Sequence, residues 1–367
     1  MLDPCDPHYT IITKHITDGN LIPFLGAGAN LCGRPQNTAW QQGSEYLPSG
    51  GELAALLASG YGFPTREIKL HCPACHSEVK VSCPKCQMEV RALDEAQDLL
   101  RVAQYVANAS GLGQLYEDLH QVFSANCPPT TLHRFLATLP ASLESKGRAR
   151  PELLIVTTNY DDLMERAFQD AGQPFDVVTY VAQGEHQGRF VHWPSSGEPK
   201  LIEEPNKYTG LCLEERPVVL KIHGAVSRLN RKDDSYVIRE DDYIAYLART
   251  TDLANVLPSV LLGKLKESHL LFLGYSLSDW NLRVILYRIW SEQAFDYKSW
   301  AIQVNPQAMD QQFWSKRNVE ILDVHLEAYV AELQTRIAGL QPSPAMQAVA
   351  PGASGTGQEQ AHVSYGR

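Results

Sequence analysis

Short apolar runs that end in small or polar residues recur along the chain and predict the strands of a sheet. Several of these runs are apolar at every position, which is typical of parallel strands that helices cover on both faces. The predicted strands are Ile22–Leu25, Leu153–Thr157, Val177–Tyr180, Val218–Ile222, Leu270–Leu273, Trp300–Val304 and Val319–Leu322.

Apolar residues at helical spacing lie between many of these runs. One such pattern, Leu163 to Phe168, follows Asp161 and Asp162, either of which could cap a helix, and another follows Ser278-Asp279. Strand, polar turn, helix and strand in alternation predict an α/β protein with a doubly wound, Rossmann-like parallel sheet.

The pattern changes between the first and second predicted strands. Apolar residues there repeat at helical spacing in three stretches, Leu93 to Val106, Leu115 to Val122 and Leu132 to Leu139. We therefore expect a mainly helical insertion over residues 49–149, with the sheet domain built from residues 1–48 and 150–340. From residue 341 to 367 the chain is rich in Ala, Gly, Ser, Pro and Gln, and we expect a disordered tail.

The chain has 367 residues, of which 44% are hydrophobic and 20% charged, as in ordinary globular proteins. Its net charge of −10 argues against direct nucleic-acid binding over the whole surface, and we interpret the small basic cluster at residues 228–232 as a solvated loop. The N-terminus shows no signal-peptide pattern, and charges interrupt the most apolar stretch, residues 260–277. We expect a cytoplasmic protein without membrane contact.

The eight cysteines form two sets. Four are scattered and are expected to be free thiols: Cys5, Cys32, Cys127 and Cys212. The other four have the spacing C-x2-C-x7-C-x2-C and predict a closed, structural Zn²⁺ site in a ribbon at about residues 70–90: Cys72, Cys75, Cys83 and Cys86. Two disulfides are the alternative, and the neighbouring histidines at 71 and 76 are surplus to a four-thiolate site.

Small or polar residues follow four of the predicted strands, just beyond the carboxyl ends where open α/β sheets bind ligands. They are Gly26-Ala27-Gly28, Asn159-Tyr160-Asp161, His223-Gly224 and Gly274-Tyr275-Ser276. Each motif has a purely structural alternative: a tight turn without a ligand, helix caps, or a core histidine bonded to backbone. The four together predict a nucleotide site in which glycines let the backbone approach a pyrophosphate.

The same motifs, in the same chain order, resemble the sirtuin catalytic domain. The segments 157–163, 221–224 and 273–279 are more closely similar to the sirtuin-like branch found in bacterial anti-phage defence proteins. The resemblance implies an NAD site. The residues that would contact the pyrophosphate, ribose and adenosine are Gly26, Ala27, Gly28, Asn159, Asp161, Gly274, Ser276 and, as a partial match, Asn305.

The resemblance also implies catalytic roles. Asn159 and Asp161 would face the nicotinamide ribose, and His223 would be the catalytic base. Sirtuin deacetylases continue from the glycine turn into a Gly-Ile-Pro-Asp-Phe-Arg type segment, whereas this chain has Gly33-Arg34-Pro35-Gln36. The nicotinamide-pocket phenylalanine and arginine therefore have no assigned counterpart, although Arg34 is a candidate.

We favour hydrolysis of the nicotinamide–ribose bond of NAD, giving ADP-ribose and nicotinamide. An amide oxygen and a carboxylate can stabilise oxocarbenium character at the ribose, and a neutral histidine can accept a proton near pH 7. NAD-dependent protein deacylation is the alternative. It is disfavoured because the zinc cysteines of sirtuin deacetylases follow the His-Gly motif, whereas here they precede Asn159. A noncatalytic nucleotide-sensing or assembly module is a further alternative.

The resemblance to defence proteins implies depletion of NAD during infection and a large homo-oligomer. Some family members are paired with a hexameric DNA-translocating ATPase of the HerA type. We expect the zinc ribbon and the helical insertion to provide the surfaces for such contacts.

Overall fold

The computed structural model describes residues 7–35, 38–64, 95–249, 255–277 and 297–342, together with positions 70–71, 78–79, 283–284 and 286. Within these ranges no helix is both long enough and apolar enough to cross a membrane. The predicted zinc cysteines and residues 343–367 of the predicted tail lie outside the described residues.

The described helices and strands alternate along most of the chain. The helices are α1 (Pro7–Thr17), α2 (Gly50–Tyr61), α3 (Leu99–Ser110), α4 (Leu112–Phe123), α5 (Thr131–Glu144), α6 (Leu163–Asp170), α7 (Glu240–Arg249), α8 (Ser259–Lys266), α9 (Ala308–Ser315) and α10 (Leu326–Ala338). The strands are β1 (Leu21–Leu25), β2 (Leu70–His71), β3 (Glu78–Val79), β4 (Leu154–Thr157), β5 (Asp176–Tyr180), β6 (Phe190–Trp193), β7 (Lys200–Ile202), β8 (Val218–Lys221), β9 (Gly224–Ala225), β10 (Ser235–Tyr236), β11 (His269–Leu273), β12 (Ser299–Gln303) and β13 (Val319–Asp323).

One nine-stranded sheet organises the fold, with the strand order β13-β12-β11-β1-β4-β8-β5-β6-β7. The first seven strands in this order are parallel, and each lies within one residue of a strand predicted from the sequence. The prediction of a doubly wound, mostly parallel sheet is therefore confirmed. The hairpin strands β6 and β7 extend one edge in antiparallel pairing and were not predicted, because neither forms an apolar run.

Helices cover both faces of the sheet, as the uniformly apolar strands require. In β1, Leu21 and Leu25 point into a core shared with α1, α5, α6 and α10. Ile22 and Phe24 point into the opposite core, which α7, α8 and α9 complete. Side chains alternate along a strand, so a run that is apolar at every position is buried on both faces.

The helical segment between β1 and β4 divides into two parts. Helices α2, α3 and α4 share a separate core, to which Val226, Tyr236 and Ile238 contribute from the segment that follows β8. Helix α5 instead packs against α6 and α10, in the layer that covers the sheet. Thr130, just before α5, also donates a hydrogen bond of 3.2 Å to the carbonyl of Ala29. Helix α5 therefore supports the turn that follows β1.

Candidate functional site

Four neighbouring strands, β11, β1, β4 and β8, bring all four predicted motifs to one edge of the sheet. From β1 the chain continues to β4 on one side and later places β11 on the other, so β1 lies where the direction of winding reverses. Ligands of open α/β sheets bind at this switch point, beyond the carboxyl ends of the strands. The glycine turns and the Asn159 and His223 segments all follow these ends.

The turn after β1 is packed directly against the turn after β11. A short 3₁₀ helix, Ala27–Leu31, begins immediately after Gly26, and the N–H of Gly28 donates to the carbonyl of Gly274 over 2.8 Å. A Cβ on Gly28 would lie 2.7 Å from that carbonyl oxygen, too close for any side chain. The glycines are thus required for contact between the two turns, in addition to the predicted approach of a pyrophosphate.

Asn159 is held by its amide nitrogen. Its Nδ2 donates to the carbonyl of Gly26 over 3.1 Å and to Oδ1 of Asn30 over 3.4 Å, and its backbone N–H donates to Oγ1 of Thr157. The two acceptors, the carbonyl oxygen of Gly26 and Oδ1 of Asn30, together favour this amide orientation. Within the described residues the Oδ1 of Asn159 has no hydrogen-bond partner, so it can accept a bond from a ligand.

Both carboxylate oxygens of Asp161 accept hydrogen bonds from other groups of the protein. Oδ1 accepts from the N–H of Leu163 over 3.0 Å at the start of α6, and Oδ2 accepts from Nδ2 of Asn30 over 2.7 Å. The N-cap residue of α6 is Asp162, whose side chain makes no capping bond, and the carboxylate of Asp161 instead accepts from the first N–H of the helix. Direct contact of Asp161 with a ribose stays a prediction.

Asn30 and Lys221 are two site residues that the sequence interpretation did not select. Asn30 is 4% exposed and bridges Asn159 and Asp161. Lys221 is 1% exposed; its Nζ bonds the carbonyl of Asp161 and Oε1 of Glu165, the latter over 2.7 Å. Burial raises the pKa of Glu165, and the Lys221 ammonium opposes that rise. The signal for Lys221 was a lone cation within an apolar strand, since buried lysines are rare unless paired.

His223 follows β8 and is 2% exposed. Its Nδ1 lies 3.4 Å from the hydroxyl of Tyr243, and the rings of Tyr243 and Tyr246 meet the imidazole edge to face. Its Nε2 has no hydrogen-bond partner among the described residues. Burial lowers the pKa of His223 to about 3, so the imidazole is neutral at physiological pH.

The remaining predicted residues lie along the same edge or support it. Gly274 and Ser276 follow β11, and the next strand, β12, is followed by Asn305, whose N–H donates to Oδ1 of Asp323 over 2.9 Å. The side chain of Ser276 is exposed, as is that of Asn305.

Arg34 has a structural role in the segment that joins the glycine turn to α2. Its Nη1 donates to Oε2 of Glu52 over 2.9 Å, and its Nε donates to the carbonyl of Thr38. Glu52 is also part of the capping box that begins α2 at Ser49. The bonds from Arg34 are the largest cause that lowers the pKa of Glu52 to about 2. The Arg34 guanidinium is thus already committed to this ion pair.

The predicted zinc ligands, at positions 72, 75, 83 and 86, are outside the described part of the chain. Two flanking strands are described, however: β2 ends directly before Cys72, and β3 begins three residues after Cys75. They pair antiparallel, with Leu70 opposite Val79 and His71 opposite Glu78. Among the described residues no group of three or more metal-ligating side chains occurs.

Comparisons with known proteins identify relatives of the sheet domain. The SIR2-like domain family model matches residues 153–322. NAD(+) hydrolase ThsA of Acinetobacter baumannii (strain 532279) is 29% identical over 198 residues, which are 54% of this chain and 32% of that protein. Defense-associated sirtuin 2 of Bacillus subtilis is 23% identical over 234 residues, which are 62% of this chain and 19% of that protein.

These matches confirm the predicted resemblance to sirtuin-like defence proteins. The chain spans about a third or less of the length of these two curated relatives. The crystal structure of a Sir2 homolog–NAD complex aligns over 89% of this chain and 93% of its own, with 15% identity and a TM-score of 0.33.

Proposed function

Because residues 153–322 carry a SIR2-like domain, we propose that the chain is an NAD glycohydrolase that forms ADP-ribose and nicotinamide. The observation that carries the proposal is the pairing of Asn159 and His223 on adjacent strand ends. Strands β4 and β8 are in register up to Thr157 and Lys221, and Asn159 and His223 each follow two residues beyond these paired ends. One offers an amide oxygen and the other an imidazole nitrogen, each without a bond inside the described protein.

The chemistry needs few protein groups. The ribose–nicotinamide bond breaks, its electron pair neutralises the pyridinium nitrogen, and positive charge develops at the ribose. The Oδ1 of Asn159 would orient the attacking water or a ribose hydroxyl, and the buried carboxylate of Asp161 would favour the cation. Water that adds to such a cation becomes strongly acidic, so a weak base suffices, and His223 would accept the released proton.

The substrate would lie across the switch point. In our proposal the pyrophosphate lies against the turn of Gly26, Ala27 and Gly28, at the N-terminal end of the 3₁₀ helix Ala27–Leu31. The N–H groups of Gly26 and Gly28 donate to the carbonyls of Leu273 and Gly274, so the approach relies on the absence of side chains at the two glycines. Gly274, Ser276 and Asn305 would line the adenosine side.

Substitution of the two central residues tests the assignment. We expect Asn159→Ala and His223→Ala each to abolish nicotinamide release from NAD while the proteins keep the native circular-dichroism spectrum. Ser195→Ala, on a different part of the molecule, is the matched control and should retain activity. NAD turnover in both site variants would refute the assignment. Release that needs an acylated peptide would instead favour a deacylase, and uncleaved bound NAD would favour a nucleotide sensor.

We further propose that four cysteines, Cys72, Cys75, Cys83 and Cys86, bind a structural Zn²⁺. Four thiolates favour tetrahedral zinc, and the pairing of β2 with β3 around the first Cys-x2-Cys supports a zinc ribbon. Cys32, Cys127 and Cys212 are free thiols, which supports a reducing compartment such as the cytoplasm.

Defence by NAD depletion would require an enzyme that is silent until infection. The relatives carry the names NAD(+) hydrolase and defense-associated sirtuin, which support this role. We propose a homo-oligomer, regulated in a complex with a HerA-type ATPase. Mass measurement of the chain with and without a co-expressed ATPase tests this, and a fully active monomer with unstimulated turnover would contradict it.

A further inference from the structure

We propose that Asn30 is a positioning residue that fixes the amide orientation of Asn159. This inference rests on the proposed function for its kinetic consequence. The supporting geometry is a chain of buried hydrogen bonds that runs from Asp161 through Asn30 to Asn159. All three residues are at most 9% exposed, so water does not readily substitute for a missing bond.

The amide group of Asn30 has a defined direction within this chain. Its Nδ2 donates to the carboxylate of Asp161 over 2.7 Å, a partner that can only accept. Its Oδ1 is therefore the end that faces Asn159, where it accepts from Nδ2 over 3.4 Å. Asp161 thus determines the orientation of Asn30, and Asn30 in turn favours one orientation of Asn159.

The orientation of Asn159 decides which atom a ligand meets. With Nδ2 directed at Asn30 and at the carbonyl of Gly26, Oδ1 is left for the ligand. A flipped amide would oppose its oxygen to two other acceptors and would present N–H donors to the ligand. Donors there would repel the positive charge that develops at the ribose, whereas an oxygen attracts it.

The turn after β1 explains why Asn30 can do this. Asn30 lies in the 3₁₀ helix Ala27–Leu31, and it is the one polar side chain of that helix. The backbone of the same helix contacts Gly274 on one side and is bonded by Thr130 on the other. Because these contacts hold the backbone of the 3₁₀ helix on both sides, the amide of Asn30 has little freedom to move when the side chain of Asn159 rotates.

Exchanging the amide of residue 30 and the carboxylate of residue 161 tests whether Asn30 positions Asn159. In Asn30→Asp two carboxylates would oppose each other, so we expect kcat for nicotinamide release to fall by about 10²-fold. The KM for NAD should change by less than about threefold, because the glycine turn is intact. In the double variant Asn30→Asp/Asp161→Asn, residue 161 would donate to residue 30, and residue 30 would still accept from Asn159. We expect kcat to rise by about tenfold over that of Asn30→Asp without reaching the native value, because the hydrogen bonds are restored while residue 161 no longer carries the carboxylate that would favour the cation.

The control is Asn108→Asp, an exposed position in α3 that should leave kcat unchanged. Native-like kcat in Asn30→Asp would overturn the proposal. A double variant in which neither kcat nor the unfolding midpoint rises above that of Asn30→Asp would also overturn it, because the restored hydrogen bonds would then have no effect.

Thermal unfolding separates this inference from the proposed function. A native protein that releases no nicotinamide, either alone or with a co-expressed HerA-type ATPase, would refute the proposed function alone. The inference on Asn30 would then be judged by the unfolding midpoint, which should fall in Asn30→Asp and recover in the double variant. Midpoints that show no such recovery would exclude the coupling of Asn30 to Asp161.

Discussion

Burial against two tyrosine rings determines the charge of His223. Burial is the cause that lowers the pKa of His223 to about 3, and no acidic group of the described residues opposes it. The hydroxyl of Tyr243 lies 3.4 Å from Nδ1. If Nδ1 carries the proton and donates to that hydroxyl, Nε2 keeps its lone pair for a proton from the substrate side.

The low pKa of His223 predicts a loss of stability in mild acid. The side chain titrates near 6.5 when unfolded and near 3 when folded. Between these values the unfolded chain binds a proton that the folded chain does not, so the free energy of unfolding falls as the pH is lowered. The fall amounts to at most about 1.4 kcal/mol per pH unit. We expect His223→Gln to show a shallower fall than the native protein in urea denaturation between about pH 6 and about pH 4.

The exposed His186 supplies the control, because His186→Gln should keep the native slope. Part of the slope should persist in His223→Gln, since burial also lowers the pKa of His133, to about 4. Identical slopes in His223→Gln and the native protein would contradict the burial argument.

At the scale of elements, the turns after β1 and β11 are in tight contact. Gly274 has a left-handed φ of +66°, and a Cβ there would lie 2.2 Å from the backbone nitrogen of Ala29. Backbone cannot move aside as a flexible side chain can. We therefore expect Gly274→Ala to lower the free energy of unfolding by about 3 kcal/mol or more, measured by urea denaturation.

Gly60 provides a matched glycine within a helix. It lies in α2, and beyond its own helix backbone and chain neighbours no atom of the described residues is within 4 Å of a Cβ built there. Alanine restricts the unfolded chain and favours the helix, so Gly60→Ala should raise the free energy of unfolding by about 0.5–1 kcal/mol. A Gly274→Ala protein as stable as the native one would show that the two turns are not in tight contact.

The parallel strands were predictable because they are buried on both faces. An uninterrupted apolar run such as Leu270–Leu273 has few alternatives in a chain of this length. The hairpin of β6 and β7 was not predictable, because an edge strand needs only one apolar face and its pairing depends on distant residues. The local sequence pattern therefore predicted the central parallel strands of the sheet but not the antiparallel strands at its edge.

The motif residues of the site were predictable for a related reason. The carboxyl ends of parallel strands meet at one edge of the sheet. The sequence alone therefore predicts that Asn159 and His223 lie at the same edge. Their partners could not be predicted, because hydrogen bonds such as that from Asn30 to Asp161 join residues 131 positions apart. The sequence indicates which residues meet a ligand, and tertiary packing decides which of their atoms does.

At the scale of the whole molecule, the helical group α2–α4 is packed against the segment that follows His223. Its core includes Val226 and Tyr236, and the ring of Tyr160, beside Asn159, packs against it as well. The hydroxyl of Tyr160 donates to the carbonyl of Val237 over 2.7 Å. The helical group therefore contacts both motifs that carry the proposed catalytic residues.

The proposed zinc ribbon lies between α2 and α3 in the sequence, so its integrity should affect this helical group first. We expect the purified protein to contain about one zinc ion per chain, measured by atomic emission. Cys72→Ser should lose the metal, because three remaining thiolates cannot complete a closed tetrahedral shell. Cys212→Ser, a free thiol far along the chain, should keep it. A native content of zinc in Cys72→Ser would exclude the four-cysteine site. Loss of zinc with full stability of the helical group would instead show that the metal serves a contact outside this chain.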